Sequence, residues 1–387
     1  MPRIQREELE TMFNRVLVTG GAGFIGSHMV DLLVERGYKV RVLDNLEPQV
    51  HGHRDTPPDY LNKEAEFIRG DVRDRDVLKK ALDGVDAVIH DAAMVGVGQS
   101  QYQILRYTDV NTTGTANLLD LIINECQHVE RLLVASSMSI YGEGAYRRPS
   151  DGKIVYPMLR PEEQLERHDF EVHDPETGEI LQAVPTPETK PLYCTSVYAL
   201  NKKDQEEYTI VVGRAHRLSV VACRYFNVYG PRQSLSNPYT GAAAIFLSRI
   251  KNGNPPLIYE DGKQVRDFIC VRDIVEAKLF LLENPNANLD AYNICTGRPT
   301  SILDLARLLA KLNGREDLEP LVTRRFRAGD IRHCYGDPAK INALGWAARI
   351  PLEEGLRDLV AWSASVEAVD KVEQAHRELE QRGLVRG

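Results

Sequence analysis

The sequence predicts an α/β protein, a doubly wound parallel sheet joined to a smaller mixed C-terminal lobe. Three observations predict it. Apolar runs of strand length alternate with helical patterns from residue 13 to about 235, the order of a parallel sheet. The first strand-to-helix junction, "VLVTGGAGFIGSH" (16–28), is broken by Gly20, Gly21, Gly23 and Gly26. From about residue 236 the texture turns mixed and proline-rich, as in "NGNPPLIYEDG" and "TGRPTSILDLARLLAKL".

Glycine costs stability inside an element, so a glycine run at that junction implies a tight turn or a close approach by a ligand. A diphosphate satisfies both, because the N–H groups and dipole of the following helix form an anion site. The helix "SHMVDLLVERGY" leads into a second strand, "KVRVLDNL", completing the βαβ unit that the spacing Gly20-x-x-Gly23-x-x-Gly26 requires. Asp44 ends that strand, where a carboxylate accepts from an adenosine ribose and repels an extra phosphate there. With no Arg or Lys at Asn45 or Leu46, the pattern reads as NAD rather than NADP.

The walk continues with the strand "AEFIRGDVRD" ending at Asp71, the helix "DVLKKAL" and the strand "DAVIHDAAMVG". Next come the helix "TGTANLLDLIINEC", the strand "RLLVASSMSIYG" and a long polar interlude. The helix "SVYALNKKDQEEYTIVVGRA" and the strand "SVVACRYFNVYG" close the first domain, 13–235. "RDFICVRDIVEAKLFLL", about 265–284, reads as strand then helix that packs back on it. A lobe over 236–365 follows, then a charged helical tail, 366–387, read as a solvated end.

Composition limits function. The 387 residues are 43% hydrophobic, enough for one large core plus a lobe. No apolar run reaches membrane length, and "MPRIQREELETMF" is charged where a leader would be apolar, so a soluble cytoplasmic chain is expected. Six scattered cysteines without a C-x-x-C pair argue against zinc and against a disulfide framework. A formal charge of −8 disfavours nucleic acid, leaving an anionic ligand to a local cluster of positive charge.

Tyr198 and Lys202, in "YALNK", share one helix face. An ammonium beside a phenol favours phenolate, bringing a pKa of about 10 toward the range of a general base. Ser137, at a strand end on the same edge, can orient the oxygen that loses its proton. With a nicotinamide these groups describe hydride transfer from a secondary alcohol.

The ordered motifs "GDVRD", "HDAA", "VNTTGT", "SSMSIYG", "YALNK", "RYFNVYGPRQ", "RDFICVRD" and "RAGDIRHCYGDPAK" resemble the extended short-chain dehydrogenases, in their nucleotide-sugar epimerase and dehydratase branch. The resemblance spans roughly residues 13–362 and implies a Rossmann domain holding NAD. By position it sets Gly20, Gly23, Phe24, Ile25, Gly26, Asp44 and Asn45 at the cofactor. Asp71 and Val72 fall at its adenine, Ala92, Ala93 and Asn111 along it, and Tyr198 and Lys202 at its nicotinamide ribose. It also implies a nucleoside diphosphate sugar as substrate. Asn227, Arg266 and Arg327 would reach the diphosphate, Asp330 the nucleotide ribose, Tyr259 the base, and Ser137, Ser139 and Cys334 the sugar. Two guanidiniums suit a diphosphate in an acidic protein. A homodimer through the "YALNK" helix is implied as well.

Departures narrow the chemistry. Relatives that eliminate water or decarboxylate carry acids after the catalytic hydroxyl, where this chain has Met138 and Ser139. The resemblance therefore leaves 4-epimerisation: oxidation at C4, rotation of the keto sugar, and hydride return. An oxidoreductase of the same branch and a non-catalytic NAD-binding sensor stay open as other readings. Asp91 stands where relatives carry an apolar residue, without a functional account. The insert of about 147–190 reads equally as a lid or a surface excursion. Cys334 is expected to line the sugar pocket near C2 and, being small, to admit an enlarged sugar such as an N-acetyl hexose; the reading of it as a core cysteine is equally open.

Overall fold

The computed structural model describes residues 12–327 and 329–387; the N-terminal stretch read above as unlike a leader lies almost wholly outside them. Seven strands form one parallel sheet: β1 (Arg15–Thr19), β2 (Lys39–Asp44), β3 (Glu66–Arg69), β4 (Ala87–His90), β5 (Arg131–Ser137), β6 (Ser219–Tyr225) and β7 (Asp290–Ile294). Their order is β7-β6-β5-β4-β1-β2-β3. Val16 pairs with Val40 on one side and Ala87 on the other, so the strand order reverses between β1 and β4. That reversal opens a crevice at the carboxyl ends of the strands.

Alternation along each strand feeds two cores. Val16 and Val18 join Val40, Val42 and Ile89 on one face, beneath α1 (Phe24–Glu35) and the later helix Val271–Glu283. Leu17, Leu43 and Val88 face the other way, under α2 (Arg75–Leu82) and α3 (Gly114–Asn124). With both faces covered, the strands read as continuous apolar runs. The longest helix, α4 (Val197–His216), lies against β5 and β6; Ser196 starts it by accepting from the Ala199 N–H at 3.1 Å. Its last turn carries Arg214 and His216, which suit the negative end of the helix dipole.

The smaller lobe packs α5 (Ala242–Lys251), α6 (Val271–Glu283), α7 (Ile302–Leu312) and α8 (Leu352–Ser363) around or beside a strand at Val265–Cys270. Its core gathers Leu247, Ile258, Phe268, Leu305, Leu309 and Leu356. α6 packs against α1, beside the large sheet. The return goes further than the sequence suggested, because β7 crosses over to pair with β6 and becomes an edge of the large sheet.

The insert forms a three-stranded antiparallel sheet, Ala145–Arg147 between Ile154–Val155 and Gln182–Val184. It is bolted to the back of the lobe by buried ion pairs. Arg160 forks onto Glu260 at 2.8 and 3.0 Å, and the fully buried Arg332 reaches Glu260, Asp261 and Glu171. The tail also differs from expectation. After α9 (Val372–Glu380) a strand, Val385–Arg386, pairs antiparallel with Phe326–Arg327, and Ala375, Leu379 and Val385 are buried. Its apolar side chains are too few to show as a stripe, but they are spaced to meet one surface.

Candidate active site

One cavity of about 630 Å³ runs along the crevice from the glycine turn to the lobe. At its floor Gly20 adopts φ +70°, and a Cβ there would fall 2.8 Å from the Ala92 nitrogen. A Cβ on Gly26 would fall 2.2 Å from the Gly20 oxygen. The turn therefore packs directly on the start of α1, leaving backbone N–H groups toward the cavity, which Gly23, Phe24 and Ile25 also line. The Asp44 carboxylate, at the end of β2, is fixed by the N–H groups of Ala22 (3.0 Å) and Leu46 (2.8 Å). Burial pushes this carboxyl above its ordinary value, with His51 3.8 Å away opposing the shift.

Asn45 donates to Asp71 at 2.9 Å, and Arg73 forks onto Asp71 while reaching Asp109. Although burial opposes it, the hydrogen bonds from Arg73 and Asn45 hold the Asp71 carboxyl at about 2. Asp71, Val72, Ala92 and Ala93 all line the cavity. Asn111 does not. It lies fully buried and clamps one peptide group, accepting from the Met94 N–H at 2.7 Å and donating to the Met94 carbonyl at 3.0 Å. Asn111, expected along the cofactor, instead holds the Met94 peptide in place, and its buried side chain does not reach the cavity.

At the end of β5 the Ser137 hydroxyl lies beside the Tyr198 phenol and accepts from the Ser139 hydroxyl at 2.9 Å. Tyr198, Ser137 and Ser139 line the cavity together with Lys202. Burial pushes the phenol up to about 12, with the neighbouring Ser137 hydroxyl opposing the shift. The Lys202 ammonium donates to the Ala135 carbonyl at 2.9 Å, and burial brings it down to about 8 while the charge of Asp91 opposes the shift. The expected lowering of the phenol by Lys202 is therefore not what this state holds: desolvation dominates both groups.

Asp91 gains an account. Its carboxylate pairs with Lys278 of α6 at 2.5 Å and accepts from the Tyr225 hydroxyl at 3.3 Å. Lys278 is fully buried, so the pair ties the returning helix to the strand end just before Ala92. The signal lay in "RDIVEAKLFLL": a lysine four residues from Ile274 and three from Leu281 sits on the buried helix face and needs a carboxylate.

In the lobe, Arg266 donates to the carbonyls of Ile331 (2.8 Å) and Arg332 (2.9 Å), with Asp330 at 3.6 Å. The Arg327 guanidinium lies 4.3 Å from the centre of the Tyr259 ring. Asn227, Tyr259, Arg266, Arg327 and Asp330 all border the cavity. Asn227 Oδ1, Arg327 Nε and Gln264 Oε1 are buried without a hydrogen-bond partner. Orphaned polar atoms around one crevice suit a polar, anionic ligand, and the glycine floor suits a dinucleotide.

Two further expectations change. Cys334 is 1% exposed and packs with Met138, Tyr141, Phe226 and Ile331, and its thiol is raised to about 12 by burial. Met138 and Ile331 present the cavity surface there, so Cys334 does not touch a sugar directly. No residue of the insert lines the cavity, and ion pairs of Arg160 with Glu260 and of Glu171 with Arg332 attach it to the lobe. Sequence reasoning missed the tail, which contributes Val372, Ala375, His376, Leu379 and Leu384 to the wall.

A dinucleotide cradle and a tyrosine–serine pair facing each other across a doubly wound sheet define an oxidoreductive enzyme of the short-chain dehydrogenase type. Residues 16–164 match the NAD dependent epimerase/dehydratase family, and residues 178–359 match the GDP-mannose 4,6 dehydratase family. A dTDP-L-rhamnose 4-epimerase of Burkholderia thailandensis is 38% identical over 90% of this chain and 95% of its own length. Among solved structures, a UDP-glucose 4-epimerase of Thermotoga maritima with UDP-glucose shares 31% identity and a TM-score of 0.73, covering 90% of this chain and 98% of that one. A Thermus thermophilus UDP-glucose 4-epimerase in complex with NAD shares 32% identity and a TM-score of 0.71, covering 91% and 100%. The chain belongs to the NAD-dependent epimerase/dehydratase family.

Proposed function

We infer that the protein is an NAD-dependent nucleotide-sugar 4-epimerase. One observation carries the choice within the family. The two positions after Ser137, where elimination or decarboxylation would need a carboxylate, are Met138 on the cavity wall and Ser139, whose hydroxyl is spent on Ser137. When bound, NAD supplies a reversible two-electron oxidation at C4 and is regenerated in each turnover.

The remaining work falls to the chain. Tyr198 takes the proton of the C4 hydroxyl and later returns it, Ser137 orients that oxygen, and Lys202 contributes its positive field and a ribose contact. Because burial holds the free phenol near 12, its activation depends on positive charge brought next to it on ligand binding. Arg266, Arg327 and Asn227 hold the diphosphate at a fixed distance from the chemistry. A tether at the diphosphate leaves the sugar free to turn over the same tyrosine.

For the nucleotide, a dTDP-linked 6-deoxyhexose leads and a UDP-hexose follows. The 38% match to a dTDP-L-rhamnose 4-epimerase supports the first, and the 32% matches to UDP-glucose 4-epimerases support the second. The chain also acts as a homodimer. Leu200 (50% exposed), Tyr208 (44%) and Val211 (61%) form an apolar row on α4, next to Leu105 (82%) on a helix at Ile104–Thr108. All six cysteines are free thiols and no helix of the described residues can cross a membrane, which supports a cytoplasmic enzyme.

The test is incubation with dTDP-L-rhamnose, UDP-glucose, UDP-N-acetylglucosamine and UDP-glucuronate, no NAD added, with products separated by chromatography. The expected result is reversible conversion of one of them to its C4 epimer without net NADH. Stoichiometric NADH formation on added NAD would favour the oxidoreductase reading. Tyr198→Phe is expected to lower kcat by ~100-fold or more; unchanged turnover would remove Tyr198 from the mechanism.

A further inference from the structure

The tail crosses the cavity instead of ending in solvent. It leaves the lobe where Asp370 meets Arg249 (3.3 Å) and Asn254 (2.8 Å), and returns to it where Val385 pairs with Arg327. Between these anchors α9 spans to the sheet domain. Glu378 accepts from the hydroxyls of Tyr102 (3.2 Å) and Tyr239 (3.0 Å), the Arg382 guanidinium lies 4.2 Å from the Tyr102 ring centre, and Leu379 rests against Gly98.

The inner face of α9 is chemically matched to what it covers. Ala375 and Leu379 face a slot bordered across the cavity by Ala242, Ile245, Leu257 and Ile302. His376 sits at the slot's polar end. Its Nε2 accepts from Arg325 at 2.8 Å, so Nδ1 carries the proton and donates to the Tyr259 hydroxyl at 2.6 Å. Tyr259 in turn carries the stacked Arg327. A mostly apolar stretch of cavity wall with a polar end, in the same cavity as two guanidiniums, has the chemistry of a site for the base of a nucleotide whose diphosphate those guanidiniums would hold.

We propose that α9 is the outer wall of the nucleotide-base subsite, with His376 fixing the Tyr259–Arg327 stack and Ala375 setting the depth of the slot. The proposal rests on the nucleotide-sugar reading above and adds the segment that encloses the nucleotide. Since the wall bridges both domains, nucleotide exchange requires the contacts of Glu378 with Tyr102 and Tyr239 to open.

Binding of UDP and of dTDP alone, without sugar or turnover, to the full-length holoenzyme tests it by titration calorimetry, with melting temperature measured alongside. His376→Ala and Ala375→Trp are each expected to weaken the nucleotide that the wild type binds by tenfold or more, at a melting temperature within a few degrees of wild type. A variant of either kind that binds as wild type does would overturn the wall. A chain ended at residue 369 gives the same reading independently: nucleotide affinity lost supports the proposal, and wild-type affinity refutes it. A wild type that takes neither nucleotide would instead sink the nucleotide-sugar reading, and the wall with it.

Discussion

Burial leaves His90 hydrogen bonds but no water. Nδ1 accepts from the Thr19 hydroxyl at 2.7 Å, and Nε2 meets Thr115, whose own hydroxyl donates to the Asn111 carbonyl. Desolvation, with the charge of Lys202 adding to it, holds the imidazole at about 3. Between pH 6.5 and about 3 only the unfolded chain takes up this proton, so stability should fall as pH drops through that window. Urea unfolding at pH 7 and pH 5 checks it; His90→Gln should flatten the difference. The ion pair of Asp91 and Lys278 makes a second prediction. Lys278→Met strands a buried carboxylate and should cost about 3–5 kcal/mol, whereas Asp91→Leu with Lys278→Met should recover most of that. An additive double mutant in thermal unfolding would argue that the two side chains do not act as a pair.

Among elements, the glycine turn shows how local sequence positions a site. Gly26 is tolerable in α1 only because its missing Cβ lets the Gly20 carbonyl approach, and this contact holds the helix N-terminus over the crevice. Gly26→Ala should yield a folded chain that purifies without NAD, read from the ultraviolet absorbance of the acid-released cofactor. Full NAD retention would mean that the turn yields without loss. The same logic covers α4, where Ser196 fixes the start of the helix so that Tyr198 falls in its first turn, facing Ser137. The glycine turn and the α4 face that carries Tyr198 and Lys202 were legible from sequence, since short spacings within one segment of chain define each. The contact of Asn111 with Met94 was not, because it forms only when the helical segment Asp109–Thr113 packs on the loop after β4 and no spacing pattern marks it.

For the whole molecule, the proposed dimer rests on the apolar row of α4. Val211→Glu should convert a dimer to a monomer in size-exclusion chromatography with light scattering, because a carboxylate on that face cannot be desolvated without a partner. A variant that stays dimeric would place the interface elsewhere. By itself the sequence determined the doubly wound sheet, the glycine turn after β1 and the helix face shared by Tyr198 and Lys202, because periodicity and short spacings are local properties of a chain. Only the tertiary structure decided the partner of Asp91, the removal of Cys334 from the cavity wall, the insert's place behind the lobe, and the tail's return across the crevice. Each of those depends on surfaces brought together from distant parts of the chain: burial of Leu379 and its apolar neighbours outweighs the polar character of the tail, and the buried Lys278 is held there because Asp91 meets it.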